Sequence, residues 1–399
     1  MNNLDKRLEE LYAEMVEIRR YLHQYPELSF HEVKTPEYIA QYHLQLGHEV
    51  RTEVGGRGVV AVLKGKKPGK TVALRADFDA LPIQEENNVP YRSKIPGVMH
   101  ACGHDGHTAT LLVLAKALNQ IKDELAGTVV FIHQHAEELA PGGAIAMIED
   151  GCLDGVDVIY GTHLWATEPL GNIMVRKGPF MAAADRFAIT IKGQGGHGAQ
   201  PHLTKDAILI GAQLVNNLQQ LVSRRVDPLE AAVLSVGSFV AQNAFNVIAD
   251  TAELVGTVRS FKEEIRLLME KEMERVIKGT CEAAHAEYEF HYDRGYPPVV
   301  NHDTETALLS ELAGQLPAVQ VVREGEMQMG GEDFAYYLER VPGTFFFTGA
   351  KNPEWSYTFP HHHPKFDFDE RAMLIAAKTF GRAVLHHIGL TKTKEEQYH

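Results

Sequence analysis

Leu8, Leu11, Met15, Ile18 and Leu22 recur at helical spacing with charges between them. That spacing predicts an amphipathic helix, ended by Pro26. A second helix is expected from about 36 to 46, stopped by Gly47. The pattern then changes to short apolar runs at 59–63 and 71–75. The linker between them holds Gly65, Pro68 and Gly69, and reads as a hairpin. Next come a helix at about 106–121, a strand at 128–132, a helix at about 143–148 and a strand at 156–160. From residue 185 the order is strand 186–191, helix 206–221, strands 232–240 and 252–258, helix 262–284 and strand 287–292. This β-α-β-β-α-β order is that of a ferredoxin-like unit. After Gly295-Tyr296-Pro297-Pro298 the chain is expected to return to its first domain. There it forms a helix at 304–313, a glycine turn at 329–334 opening another helix, a buried strand at 344–348 and a last helix at 369–387. The expected fold class is α/β. Residues 1–184 and 295–399 build a mixed β-sheet flanked by helices, and 185–294 form an inserted domain.

Composition narrows the functional classes. The chain has 399 residues, more than one ordinary core holds, with a hydrophobic fraction of 44% and a charged fraction of 23%. A formal net charge of -14 argues against nucleic acid as a partner. Cys102, Cys152 and Cys281 are widely spaced and odd in number, which points away from a disulfide framework and towards a reducing compartment. The N-terminus has no apolar signal core, and no apolar run is long enough to span a bilayer. A cytoplasmic protein without membrane partners is expected.

Chemistry gathers at the predicted strand ends. The stretch His100-Ala101-Cys102-Gly103-His104-Asp105-Gly106-His107 packs three histidines, a cysteine and an aspartate into eight residues. Imidazole and thiolate bind borderline-soft divalent ions, and Cys102 and His104, two apart, can point the same way in an extended loop. Asp77 and Asp79 follow one strand, Glu137 and Glu138 another, and His163 a third. Adjacent glutamates are unusual unless something positive faces them. The glycine-rich loop from Gly193 to His202 lacks the Lys-Ser/Thr pair of a phosphate loop.

Several ordered motifs carry a resemblance that spans nearly the whole chain. Arg75-Ala-Asp-Phe-Asp-Ala-Leu-Pro82, the His100–His107 loop, Ala136-Glu137-Glu138, Gly195-Gly-His197, Gly256-Thr-Val-Arg259 and Glu332-Asp-Phe334 resemble the aminoacylase and hippurate hydrolase group. These are metal-dependent amidohydrolases of the zinc aminopeptidase and carboxypeptidase superfamily. The resemblance implies a zinc-peptidase-like catalytic domain with two divalent ions, interrupted by a lid or dimerisation domain, and so a homodimer. It implies Cys102, His104, Glu138, His163 and His362 as metal ligands, with His361 and His363 as alternatives to His362. Glu137 takes the role of general base. His197 corresponds to a histidine that helps to hold the reacting carbonyl, often across the dimer. Two positions depart from the family, which usually has proline at His135 and at Ala249.

The implied reaction is hydrolysis of an N-acyl amino acid to a carboxylate and a free amino acid. Thiolate, imidazole and carboxylate together leave Zn, Mn, Co and Ni open. Arg259, with Asn246 near it in sequence, is the candidate for the substrate carboxylate, since a guanidinium pairs with it in bidentate fashion. Asp77 and Asp79 are expected to orient ligands rather than bind metal. A carboxypeptidase-type peptidase and an N-acetyl-diaminopimelate deacetylase are the nearest alternative enzymes. A non-catalytic binding protein on the same fold is the remote one.

Overall fold

The computed structural model describes residues 3–389. Two compact units emerge. Among the described residues, one holds 3–178, Val300–Glu326 and 333–389; the other holds Pro179–Val299 and Met327–Glu332. In the first unit the strands are β1 (Glu49–Val54), β2 (Gly58–Lys64), β3 (Lys67–Asp77), β4 (Ala126–Gln134), β5 (Val158–Pro169) and β6 (Asn172–Val175). The second unit contributes β7 (Ala183–Lys192), β8 (Ala232–Val240), β9 (Thr251–Ser260) and β10 (Glu287–Asp293). The first unit's sheet is completed by β11 (Val321–Glu324) and β12 (Gly343–Lys351).

The eight-stranded sheet runs β1-β2-β4-β3-β5-β12-β6-β11. Its centre is parallel, because β3 pairs in parallel with β4 and β5, and β5 with β12. Such strands are covered on both faces and read as continuous apolar runs, as Val129–Ile132 and Phe345–Phe347 do. The helix His104–Asn119 buries Leu111, Leu112 and Leu114 in the same core as Met15, Val72, Phe346 and Phe380. Parallel pairing also sets the strand ends side by side. Asp77 lies opposite Gln134, and His163 opposite Phe347. The chemistry carried at or near these strand positions therefore meets at one edge.

Three sequence expectations change. The runs at 59–63 and 71–75 do not form a hairpin, because β4 lies between β2 and β3. The linker crosses the start of β4: Lys66 N donates to Leu125 O, and a Cβ on Gly69 would sit 2.0 Å from Ala126 O. The linker glycines thus serve a close backbone crossing rather than a turn. The first helix divides into Asn3–Glu10 and Tyr12–Gln24. The strand expected at 156–160 runs on to Pro169, so His163 sits within β5 rather than after it.

The second unit has the order β7, helix Ala207–Arg224, β8, β9, helix Glu263–Ala283, β10, with an antiparallel sheet ordered β8-β9-β7-β10. Phe187, Ile189, Leu214, Leu218, Met269 and Met273 fill its core. Its extent differs from residues 185–294. Ala182 N donates to the carbonyls of Gln328 and Gly330, and Ala184 N to that of Tyr296, which ties flanking segments into the unit. No described helix is long and apolar enough to cross a membrane.

Behind the start of the helix His104–Asn119 lies a buried ionic network. The Arg19 guanidinium donates to Asp105 Oδ2 at 2.8 Å and to Asp367 Oδ1 at 2.8 Å, between the rings of Tyr91 and Phe368. His23 Nδ1 stands 2.8 Å from Asp105 Oδ2, and its Nε2 3.3 Å from Glu85 Oε1. Burial opposes charge on His23, but the Asp105 carboxylate, aided by Glu85, pushes its pKa up to about 9. The folded protein then holds a proton that the unfolded chain releases above its ordinary histidine value of about 6.5. Its stabilisation is complete below that value and is lost as pH rises to about 9. The urea midpoint should fall between pH 6.5 and pH 9, and fall less in His23→Gln. Equal falls in both proteins would contradict a protonated His23.

Candidate metal centre

Two carboxylates at the end of β3 arrange the site. Arg75 and Asp77 are two apart on a strand and share a face. Arg75 donates to Asp77 Oδ2 at 2.5 Å, to Asp333 Oδ1 at 2.8 Å and to Gln134 Oε1 at 2.9 Å. Asp77 Oδ1 accepts from His107 Nδ1 at 2.6 Å, and His107 Nε2 accepts from Leu164 N at 3.0 Å. Both nitrogens of His107 are therefore engaged by protein groups, which makes it a brace. Burial opposes charge on Asp77, but His104, Arg75 and His107 hold it well below the usual carboxylate range. Asp79, one residue beyond Phe78, accepts from Ser29 Oγ at 2.6 Å and from Glu138 N at 2.9 Å.

Gly103 at φ +95 turns the loop into the helix that His104 opens. His104 Nδ1 lies 3.0 Å from Asp79 O and 3.1 Å from its Oδ1. Both are acceptors, so Nδ1 carries the hydrogen and Nε2 presents its lone pair. His163 is set the same way. Its Nδ1 donates to Leu164 O at 3.0 Å, and its Nε2 faces Cys102 Sγ at 3.3 Å. Fixing one ring nitrogen so that the other is bare is how proteins prepare a metal-binding imidazole.

Glu137 and Glu138 converge more than extended backbone allows, where neighbours diverge. Glu137 Oε2 is 4.0 Å and Glu138 Oε1 3.9 Å from the same atom, His104 Nε2. Ala136, at φ +52, breaks the strand just before them.

The three C-terminal histidines separate. His362, at φ +64, donates its N–H to Ala101 O at 2.8 Å and brings Nε2 to 3.1 Å from Glu138 Oε1. His361 is turned inward, where Nε2 accepts from Ala166 N at 3.2 Å and the ring meets His163 edge-on at 4.9 Å. His363 stacks on Phe359 and accepts from Lys365 N. Among the described residues four groups could hold an ion, and two of them, Cys102–His104–Glu138 and Cys102–His163–His361, share Cys102.

The donors fit divalent ions. His104 Nε2 and Glu138 Oε1 are buried without a hydrogen-bond partner, a costly state unless a cation serves both. Burial and the Glu138 and Glu137 carboxylates push the Cys102 thiol well up, so a thiolate there needs positive charge beside it. Burial works against a proton on His104, yet Asp77, Asp79 and Glu138 raise it to about 10. A cation against Nε2 replaces that proton. Sulfur, imidazole nitrogen and carboxylate oxygen form a borderline-soft set.

The remaining sequence candidates stand on the second unit. His197 lies on a short strand opposite Val247, is exposed, and accepts from Ala199 N at its Nδ1. Asn246 is beside it, its carbonyl accepting from Gly198 N at 2.8 Å. Arg259 is half-buried on β9, and burial lowers its pKa. Sequence reasoning did not single out Ser29 or Gln134, and it named Asp333 only within the Glu332-Asp-Phe334 motif, without a role. Their partners are distant in the chain, and nothing local marks those contacts.

A model of peptidase family M20/M25/M40 matches residues 73–386. YhaA of Bacillus subtilis (strain 168), an amidohydrolase by name, is 61% identical over 96% of this chain and 97% of its own length. The N-acyl-L-amino acid amidohydrolase of Geobacillus stearothermophilus is 54% identical over 75% of this chain and 81% of its own. The crystal structure of Bacillus subtilis YXEP, a dinuclear metal binding peptidase, superposes with a TM-score of 0.83 at 39% identity, covering 95% of this chain and 99% of that one.

Asp79 holds His104 through its side chain and Glu138 through its backbone. Asp79→Asn sets an amide against one of these donors and should weaken metal affinity by about 10- to 100-fold. Competition with a chelator measures this. Unchanged affinity would contradict the orienting role.

Proposed function

The chain belongs to peptidase family M20/M25/M40, and we propose that it hydrolyses N-acyl-L-amino acids to a carboxylate and a free amino acid. Metal-dependent amide hydrolysis is the shared chemistry of such proteins. The observation that carries the reading is the convergence of Cys102, His104 and Glu138 beside a second carboxylate, Glu137. Cys102, His104, Glu138, His163 and His362 hold two divalent ions, with Zn, Mn, Co and Ni all compatible with the donors. Bound there, the ions acidify water and polarise the amide carbonyl.

Glu137 accepts a proton from the attacking water as the new C–O bond forms, and returns it to the nitrogen as the C–N bond breaks. Glu138 is the neighbouring ligand. Asp79 keeps a hydrogen on His104 Nδ1 and so directs Nε2 inward. The second unit acts as lid and dimerisation domain, with His197 holding the reacting carbonyl from the same or the partner chain. Arg259 grips the released amino acid's carboxylate, and Asn246 assists. The three buried thiols, all unpaired, suit a reducing compartment such as the cytoplasm.

Glu137→Gln keeps the shape of the base but not its proton affinity. It should retain both ions while kcat on an N-acetyl amino acid falls by about 100- to 10,000-fold. Glu138→Gln should lose metal affinity instead, with activity partly restored by added metal. If metal content falls in the first variant and holds in the second, the two roles are reversed. Cys102→Ala should stay folded but lose metal and nearly all activity; full occupancy in that variant removes it from the ligand set.

A further inference from the structure

We propose that Glu32 is a positioning residue, whose buried carboxylate fixes the backbone of Ala136 and thereby aims Glu137 and Glu138. The proposal rests on the roles given above to those two glutamates. Glu32 is fully buried, and its Oε1 accepts from Ala136 N at 2.9 Å. Ala136 is itself buried and left-handed, a backbone state that an L side chain keeps only when its surroundings hold it there.

The effect of that turn is visible two atoms groups further on. Were the chain extended through 135–138, Glu137 and Glu138 would leave on opposite faces. With the turn, both glutamates reach within 4.0 Å of one histidine nitrogen. A second clamp fixes the far side of the turn, where Glu138 N donates to Asp79 Oδ2. One short loop supplies the first clamp and braces the second. Ser29 donates to the same Asp79 oxygen, Phe30 packs edge-on to His135 at 5.9 Å, and Glu32 follows. Arg57 anchors this loop by donating to Glu32 O at 2.5 Å.

Glu32 touches none of the proposed ligands, so its influence passes through the peptide at 136. That route distinguishes it from a residue that merely fills space. Glycine takes positive φ without steric cost, so a glycine at 136 should relieve the need for Glu32. A packing defect would gain nothing from it.

The test compares E32Q, E32D, A136G and E32D/A136G. Each is measured for kcat and KM on an N-acetyl amino acid, and for metal retained against a chelator. E32Q keeps the acceptor oxygen and should stay close to wild type. E32D draws the carboxylate back by one methylene and should lower kcat by about a hundred-fold, the scale of a small misplacement of a reacting group. Its KM should change little, and its metal should be lost faster. E32D/A136G should recover much of both losses. The proposal is overturned if folded E32D keeps wild-type kcat and metal retention, or if the double variant is no better than E32D. Should E32D fail to fold, E32Q decides, since a large loss of kcat in folded E32Q also overturns it. If the wild type cleaves no N-acyl amino acid, the functional reading fails, and metal retention across the series still decides the role of Glu32.

Discussion

Asp79 is a fully buried carboxylate that has to be satisfied from three directions. Ser29 supplies a hydroxyl, His104 a ring N–H and Glu138 a backbone N–H. These partners come from the N-terminal loop, the start of the helix His104–Asn119 and the segment after β4. Meeting one desolvated charge therefore fixes three separate pieces of chain around a common point. Asp77 does the same for His107 and Arg75, and Arg75 extends the network to Gln134 and Asp333. The candidate ligand side chains are thus held by buried charges whose own hydrogen bonds depend on them.

The parallel centre of the sheet makes this arrangement possible. The end of β3, the segment after β4 and His163 within β5 meet at one edge, where carboxylates, imidazoles and a thiol accumulate. Protein groups alone leave His104 Nε2 and Glu138 Oε1 unpaired. A divalent cation held by Cys102, His104 and Glu138 would satisfy both atoms and favour the Cys102 thiolate. The ionic network of Arg19, His23 and Asp105 supports the same helix from behind, next to His104 in the chain.

Sequence made the site's chemistry legible because most of it is local. Cys102 and His104 are two apart, so spacing set them on one side, while the ligand set as a whole was legible only through the family resemblance. A mixed sheet flanked by helices was legible as apolar runs followed by polar ends. Long-range pairing was not: β4, which separates β2 from β3, lies well beyond the linker that resembles a turn. The limits of the second unit escaped for the same reason, since Gln328 and Gly330 join it by backbone hydrogen bonds. Ser29 and Glu32 carry no motif of their own. Their meaning lies in contacts with Asp79 and Ala136, which only folding creates.

The central claim is that this edge of the sheet binds two divalent ions and needs them for amide hydrolysis. Metal-free protein titrated with Zn or Mn, with bound metal counted and hydrolysis of an N-acetyl amino acid followed in the same samples, tests it directly. Activity should be absent at the start and should rise to a plateau as occupancy reaches two ions per chain. Full hydrolysis by protein shown to be free of metal, or saturation of binding without any gain in activity, would contradict the account.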